Sequence, residues 1–193
     1  MGTIEQKLET YPFIVDRDAM IAGMGAYGWR TATVAEHEPM MNLAEKLLNS
    51  ALTTAETIAW IHSITGVTSW VVGDPLEGIF IIVPVSPAGL DAIHSGAFDA
   101  SRPAEAHLAA LGTPCAGVYV GAYAGATHDA RKSVMMATVT NRVEVFGQVP
   151  AFARAATDDG ARSMVSLGFH PAGFGADKLW MQGVLRRPEK QVA

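Results

Sequence analysis

The sequence predicts an α/β domain in which helices flank a β-sheet. Segments with the apolar pattern of strands alternate along the chain with segments whose apolar residues recur at helical spacing. The 193 residues are enough for one hydrophobic core and too few for two full-sized enzymatic domains. We therefore expect a single domain that spans residues 1–193.

The composition excludes several classes of protein. Charged residues make up 17% of the chain and hydrophobic residues 49%, so disorder is not expected. The net charge of −5 disfavours binding to nucleic-acid phosphates. No segment has the length of a membrane span and the first residues lack a signal-peptide pattern, so we expect a cytoplasmic chain without membrane contacts. Few charges among many Ala, Met and Val residues also favour a homodimer.

The first elements form a strand followed by two helices. Residues 29–34 are β-prone, and residues 35–49 place apolar side chains at helical spacing. A second helix is expected to begin after an N-cap at Thr53 or Thr54 and to end at Gly66.

A hairpin and a long connection follow. Two apolar runs, 68–72 and 78–85, flank an Asp-Pro turn at 73–77, which predicts a hairpin whose second strand is buried. Residues 86–114 are rich in Pro, Gly, Ala, Asp and His, with a helical fragment predicted at 104–111. We interpret 86–114 as an insertion on the substrate side, although most such insertions are variable surface.

The second half alternates strands and helices up to a polar tail at 186–193. The predicted elements are a strand at 116–123, a helix from 127 to about 145, a strand at 148–155, a helix at 157–167 and a strand at 178–185. The long helix is rich in β-branched residues from Thr138, which favours an early end. Gly168 is the expected left-handed residue after the short helix, and Phe169 is expected to fold back onto the core.

This order of elements resembles the GNAT-type N-acetyltransferase superfamily. The best local match is residues 157–169, Thr-Asp-Asp-Gly-Ala-Arg-Ser-Met-Val-Ser-Leu-Gly-Phe, against the family pattern Asn-x-x-Ala-x-x-Leu-Tyr-x-x-Leu-Gly-Phe. Leu-Gly-Phe is intact, whereas four positions differ: Thr157, Gly160, Ser163 and Met164. The match covers about residues 116–185, and the first half agrees only in element order. The alternative interpretation is an ordinary capped helix end.

The resemblance implies a mixed β-sheet that splays between its fourth and fifth strands to hold acyl-coenzyme A. It implies an acyl-CoA-dependent N-acyltransferase, with acetyl-CoA or another acyl-CoA as cosubstrate, acting on an amine of a small molecule or peptide by direct attack.

The family grips the coenzyme diphosphate with Arg/Gln-x-x-Gly-x-Gly/Ala between the fourth strand and the next helix. Here the corresponding residues are 125–130, and only Ala130 fits strictly, because Gly125 replaces Arg/Gln and His128 replaces the central glycine. The expected coenzyme contacts are Val120, Gly121, Ala122, Gly125, Ala126, Thr127, His128, Ala130, Arg131, Lys132 and Thr157. The alternative is a plain strand-to-helix turn capped by Thr127.

Catalysis by this route needs a base for the amine and often an acid for the departing thiolate. The resemblance places Met164 where the family has its tyrosine acid, and methionine donates no proton. Tyr119 and Tyr123 on the fourth strand are the remaining acid candidates, although tyrosines on one face of a strand are usually packing residues. Glu36 is our candidate base. Further candidates for the base are Glu38, His94 and His107.

Several other observations bear on function. The six histidines show no His-x-x-x-His or Glu-x-x-His spacing, so no metal site is expected. Cys115 is expected to be a buried apolar residue and not a nucleophile. The altered loop and Met164 leave two alternatives open: a catalytically inactive GNAT-like binding or regulatory module, and a structural dimer subunit.

Overall fold

An open seven-stranded sheet separates two layers of helices in the computed structural model, which describes residues 12–50, 52–155 and 158–185. The strands are β1 (Arg30–Thr31), β2 (Ser69–Val72), β3 (Gly78–Val85), β4 (Gly117–Gly125), β5 (Ala151–Arg154), β6 (His170–Pro171) and β7 (Leu179–Gln182). Their order across the sheet is β1-β2-β3-β4-β5-β7-β6. Only β4 and β5 pair in parallel; the other neighbours are antiparallel. The predicted mixed sheet flanked by helices is thus confirmed.

In the described part of the chain, six α-helices cover the two faces of this sheet. They are α1 (Arg17–Gly25), α2 (His37–Leu48), α3 (Ala55–Thr65), α4 (Pro87–Ser95), α5 (His128–Thr140) and α6 (Asp158–Ser166). One hydrophobic cluster lies between the sheet and α2, α3 and α4, and the other lies between the sheet and α1, α5 and α6. Among the described residues, no helix is long and apolar enough to cross a bilayer.

Short polar side chains and glycines fix the helix ends. The side chains of Asp16, Thr54, Ser86 and Thr127 each accept a hydrogen bond from a backbone N–H in the first turn of the following helix. Gly66 and Gly96 end α3 and α4 in the left-handed conformation.

Helix α6 ends at Gly168, as the sequence predicts. Gly168 has a φ of +83°, the Phe169 N–H donates to the Met164 carbonyl at 2.9 Å, and the Gly168 N–H donates to the Val165 carbonyl at 3.0 Å. This is a Schellman motif, and it turns Phe169 back into the core, where its side chain is buried.

The structure corrects the predictions for the insertion 86–114. The helix predicted at 104–111 is wrong: only Glu105–His107 forms a 3₁₀ turn, because Leu108 is extended, buried, and bridged to Val85. The helix of this insertion is instead α4, which the sequence signals through Ser86 as N-cap and Pro87 in the first turn. Helix α1 and strand β6 were also not predicted from the sequence.

Candidate functional site

The sheet opens between β4 and β5. These parallel strands pair only from Val118 to Val120 and from Ala151 to Ala153. Strand β4 continues along β3 as far as Gly125, so its other edge has no strand partner beyond Val120 in the described part of the chain. A cleft of about 910 Å³ lies at this divergence and is lined by both strands and by helices from both layers.

A bulge in β4 determines to which face of the sheet each of its side chains points. The register with β3 shifts between Ile81 and Ile82, and Gly121 is the extra residue. A Cβ atom at Gly121 would lie 3.2 Å from the Ile81 Cγ2 atom, so glycine fits the close approach of the two strands. The bulge interrupts the regular alternation of side chains. Residues after Gly121 therefore point to the face opposite to the one that regular alternation from Tyr119 would give them.

Tyr119 and Tyr123 therefore do not share a face, which corrects the arrangement assumed from their spacing. Tyr119 belongs to the cluster beneath α2, α3 and α4, whereas Tyr123 packs against the cluster beneath α5 and α6. Both side chains line the cleft, which reaches both faces of the sheet at the divergence.

Tyr119 is enclosed by the insertion. Its ring centroid lies 5.4 Å from that of Phe98, and its side chain is buried. Burial raises the pKa of Tyr119 to about 12, with Arg154 acting against the rise and Asp99 adding to it. This hydroxyl is therefore protonated at neutral pH.

Tyr123 lies beside α6. Burial raises its pKa, and the neighbouring Ser163 hydroxyl opposes part of that rise. The Tyr123 hydroxyl oxygen is shielded from solvent and makes no hydrogen bond of ordinary length and angle with the described residues. Ser163 precedes Met164, which is buried and also lines the cleft. Tyr123 thus brings a hydroxyl from the strand to the part of α6 where the resemblance places an acid.

One backbone donor in the first turn of α5, the Ala130 N–H, is capped by a side chain. The Thr127 hydroxyl accepts from the Ala130 N–H at 3.1 Å, and the Ala126 N–H donates to the Glu77 carbonyl at 2.7 Å. The Glu77 carboxylate lies 3.4 Å from the Thr127 hydroxyl. An anion at this helix end would therefore meet a nearby negative charge, the Glu77 carboxylate.

The expected coenzyme contacts divide between five residues that line the cleft and five that do not. Val120, Gly121, Ala122, Gly125 and Arg131 line the cleft. The residues of the expected set that do not line it are Ala126, Thr127, His128, Ala130 and Lys132. Thr157 lies outside the described residues.

Gly125 has a packing role in this turn. A Cβ atom there would lie 2.5 Å from the Arg131 backbone nitrogen and 2.6 Å from the Ala130 carbonyl carbon. The absence of a side chain thus allows the end of β4 to contact the first turn of α5, which holds Arg131 at the cleft.

The insertion closes the opposite side of the cleft. Residues 96–101 line it together with Leu47, Leu48 and Leu52, and Asp99 is the charged residue among them. The Asp99 carboxylate accepts hydrogen bonds from the backbone N–H and the hydroxyl of Ser101, at 2.9 and 2.6 Å. The charged side chains that line the cleft are Asp99, Arg131 and Arg154. Sequence reasoning missed Asp99 and Arg154, because neither stands in a motif.

Glu36 lies outside the cleft lining and has another role. Its carboxylate makes two hydrogen bonds to the Arg30 guanidinium, at 2.7 and 2.6 Å, and accepts from the Thr33 N–H at 2.9 Å. The Arg30 contact and then the Thr33 contacts lower the pKa of Glu36 to about 2. A carboxylate with so low a pKa, fixed at a helix start, is poorly suited to remove a proton from an amine.

The other base candidates also lie outside the cleft lining. Glu38 is exposed on α2, and the His94 ring lies with its centroid 4.6 Å from that of Phe174. The His107 Nδ1 atom is buried without a partner among the described residues, beside Phe98.

A buried serine between two histidines is a feature that no sequence spacing indicated. The Ser69 hydroxyl lies 2.9 Å from His62 Nδ1 and 3.0 Å from His37 Nε2, and the Ser69 N–H donates to His62 Nδ1 at 3.1 Å. Burial, then the neighbouring His37 and Arg17, lowers the pKa of His62 to about 4. Ser69 is fully buried, so this arrangement stabilises the core and offers no accessible nucleophile.

The remaining candidates for chemistry are the single cysteine and the metal-ligating side chains. Cys115 is buried, as the sequence predicts, and burial raises the pKa of its thiol to about 12. The described residues contain no group of three or more His, Cys, Asp or Glu side chains arranged to hold a metal ion.

No model of a known protein family matches the chain, and no curated protein matches it at a significant level.

Proposed function

We propose that the protein is an acyl-CoA-dependent N-acyltransferase that transfers an acyl group from coenzyme A to an amine in the cleft between β4 and β5. The observation that carries this proposal is the divergence of two parallel strands after Val120, which leaves a backbone edge of β4 without a strand partner among the described residues, along a large cleft.

An extended chain that contains amides fits such an edge. Unpaired N–H and C=O groups of a strand readily bond a further extended segment. The pantetheine arm of coenzyme A is an extended chain with two amide groups, so it can take the place that β5 leaves. The small residues Gly121, Ala122 and Ala124 on this part of β4 would allow its close approach.

The diphosphate would lie at the α5 end of the cleft. Arg131 lines the cleft there, while Lys132 beside it does not. The capped first turn of α5 and the nearby Glu77 carboxylate leave Arg131 as the main positive charge for the phosphates. We therefore propose weaker coenzyme binding than a helix end without a neighbouring carboxylate would give.

The transfer requires two proton movements. The neutral amine nitrogen attacks the thioester carbonyl carbon, the carbon–sulfur bond breaks, and the proton that the nitrogen loses passes to water in the cleft. We assign the proton donor for the departing thiolate to Tyr123, which then regains a proton from water. Its protonated hydroxyl lies beside Ser163 at the cleft and has no hydrogen bond of ordinary geometry with the described residues.

The acceptor amine would enter from the insertion side. The Asp99 carboxylate is the acidic group that lines the cleft, and it attracts a cationic amine. The apolar lining from Leu47, Leu48 and Phe98 favours an amine that carries an apolar group. Because the one cysteine is a buried free thiol, we propose that the reaction takes place in the cytoplasm.

A catalytically inactive module that binds acyl-CoA is the second candidate function. Met164 at the position of the family acid and the absence of Glu36 from the cleft lining favour it. Such a module would bind the coenzyme in the same cleft without turnover.

An amine screen separates the two candidates. The protein is incubated with acetyl-CoA and a panel of arylalkylamines, polyamines and short peptides, and free coenzyme A thiol is followed with a thiol reagent. The N-acyltransferase gives thiol release that depends on both the amine and the protein. Binding of acetyl-CoA without release for any amine supports the inactive module, and absence of both contradicts each candidate.

A further inference from the structure

A second cavity lies on the other side of β4 from the acceptor end of the cleft. Its volume is about 250 Å³, and it lies between the sheet, the end of α5 and the residues that close α6. Its lining is mostly apolar and includes Phe80, Ile82 and Val118 from the sheet and Val139, Val143 and Leu167 from the helices.

Arg142 brings a positive charge into this apolar lining. The residue lies in a π-helical turn, Asn141–Val145, that follows α5, and its side chain is buried. Turns of this kind are frequent at functional sites. The guanidinium donates to the Gln182 side-chain oxygen at 2.5 Å and to the Phe146 and Gly183 carbonyl oxygens.

The charge of Arg142 has only neutral acceptors in the described part of the chain. No carboxylate of the described residues forms an ion pair with it. Three of its five N–H donors are used, which leaves two without a described partner. Burial lowers the pKa of Arg142 to about 10, so the group remains charged at neutral pH. A buried cation without an anion is costly, and a carboxylate beside it would gain charge-assisted hydrogen bonds.

We propose that this cavity binds a small carboxylic acid with an apolar body, whose carboxylate meets the two N–H donors of Arg142 that have no partner among the described residues. The cavity is larger than the engineered one of roughly 150 Å³ that holds benzene, so it accommodates an aromatic ring with a short arm. Val139 and Leu185, which are 41% and 47% exposed, stand at its edge and mark a route from solvent.

This site is independent of the proposed transferase reaction. Its ligand class follows from the cavity and from Arg142, which does not line the cleft. Val120 lines both the cleft and the cavity, so an occupant of the cavity would lie against the floor of the cleft.

The test compares two probes of equal shape. Phenylacetate and its neutral isostere phenylacetamide are titrated into the full chain, and binding is followed by ligand-detected NMR. We expect phenylacetate to bind about tenfold more tightly than phenylacetamide, since only the carboxylate forms hydrogen bonds between two opposite charges with the guanidinium. Arg142→Met is expected to remove this preference.

A second variant keeps the test decisive if Arg142→Met does not fold. Val139→Trp places a large side chain at the edge of the cavity and is expected to weaken phenylacetate binding at least tenfold. Val165→Trp is the matched control, because Val165 is 59% exposed on α6 and does not line the cavity. Equal binding of the two probes, no binding at millimolar concentration, or wild-type binding by Val139→Trp would overturn the proposal.

Discussion

Tyr119 and Tyr123 lie four residues apart on one strand, and their side chains point to opposite faces of the sheet. The bulge at Gly121 causes this exchange of faces. It assigns the two hydroxyls to different environments: Tyr119 to the aromatic contact with Phe98, and Tyr123 to the neighbourhood of Ser163.

The two tyrosines should therefore differ in their effect on turnover. We expect Tyr123→Phe to lower kcat of acyl transfer by about a hundredfold, the lower end of what a general acid contributes, with little change in KM for acetyl-CoA. Tyr119→Phe is the matched control and should change kcat less than threefold. Steady-state kinetics with the best amine of the screen measure both. A larger loss in Tyr119→Phe than in Tyr123→Phe would refute the assignment of the acid.

Arg131 and Lys132 provide a paired test of the phosphate end of the cleft. Both are exposed on α5, but only Arg131 lines the cleft. Arg131→Ala should weaken acetyl-CoA binding about tenfold, because one charge-assisted contact to phosphate is lost. Lys132→Ala should change the affinity less than twofold. Calorimetric titrations of both variants give the comparison, and similar losses in the two would show that only the general positive charge of the helix matters.

Gly125 should matter for stability. Gly125→Ala forces a methyl group to within 2.5 Å of the Arg131 backbone nitrogen, which should lower the free energy of unfolding by about 2–3 kcal/mol. Gly183→Ala is the control, because a Cβ atom at Gly183 meets nothing within 4 Å, and its effect should stay within about 0.5 kcal/mol. Urea denaturation measures both changes. An unchanged stability in Gly125→Ala would contradict the close contact between β4 and α5.

His62 should make the protein less stable in mild acid. Its folded pKa of about 4 lies below the ordinary value of 6.5, so the unfolded chain takes up the proton first as the pH falls. Stability from this group is complete above about pH 6.5 and is lost progressively down to about pH 4.

His62→Asn should remove that part of the acid sensitivity, because an amide oxygen near the Nδ1 position still accepts from the Ser69 N–H but does not titrate. Urea denaturation at several pH values measures how the free energy of unfolding falls as the pH is lowered. Between about pH 6.5 and pH 4, this fall should be smaller by roughly 2 kcal/mol in His62→Asn than in the wild type. His170→Asn, at an exposed position on β6, is the control. A wild-type slope in His62→Asn would contradict the assignment.

Local signals predicted most of the sheet and of the helices. Helix ends depend on residues that are close in the sequence. The structure has the predicted left-handed glycines at Gly66 and Gly168 and a helix N-cap at Thr127. Helix α4 also carries its signals, Ser86 and Gly96, but the many Pro and Gly residues of the insertion obscured them.

Tertiary contacts explain what the sequence did not predict. Leu108 is extended because it pairs with Val85, and the faces of Tyr119 and Tyr123 depend on a register shift against β3. The Arg30 contact of Glu36 spans only six residues, yet nothing in the spacing distinguishes a capping glutamate from a base. The side chains that line the cleft come from segments far apart in the chain, so their meeting depends on the whole fold.

Calorimetric titration with acetyl-CoA tests the central claim most directly. Ala155 lines the cleft at the end of β5, so Ala155→Trp should block it, whereas Ala22→Trp, at an exposed position on α1 outside the cleft lining, should not. We predict binding of one acetyl-CoA per chain by the wild type and by Ala22→Trp, with at least a tenfold loss in Ala155→Trp. No binding to the wild type at millimolar acetyl-CoA, or equal binding to Ala155→Trp, would contradict a coenzyme site between β4 and β5.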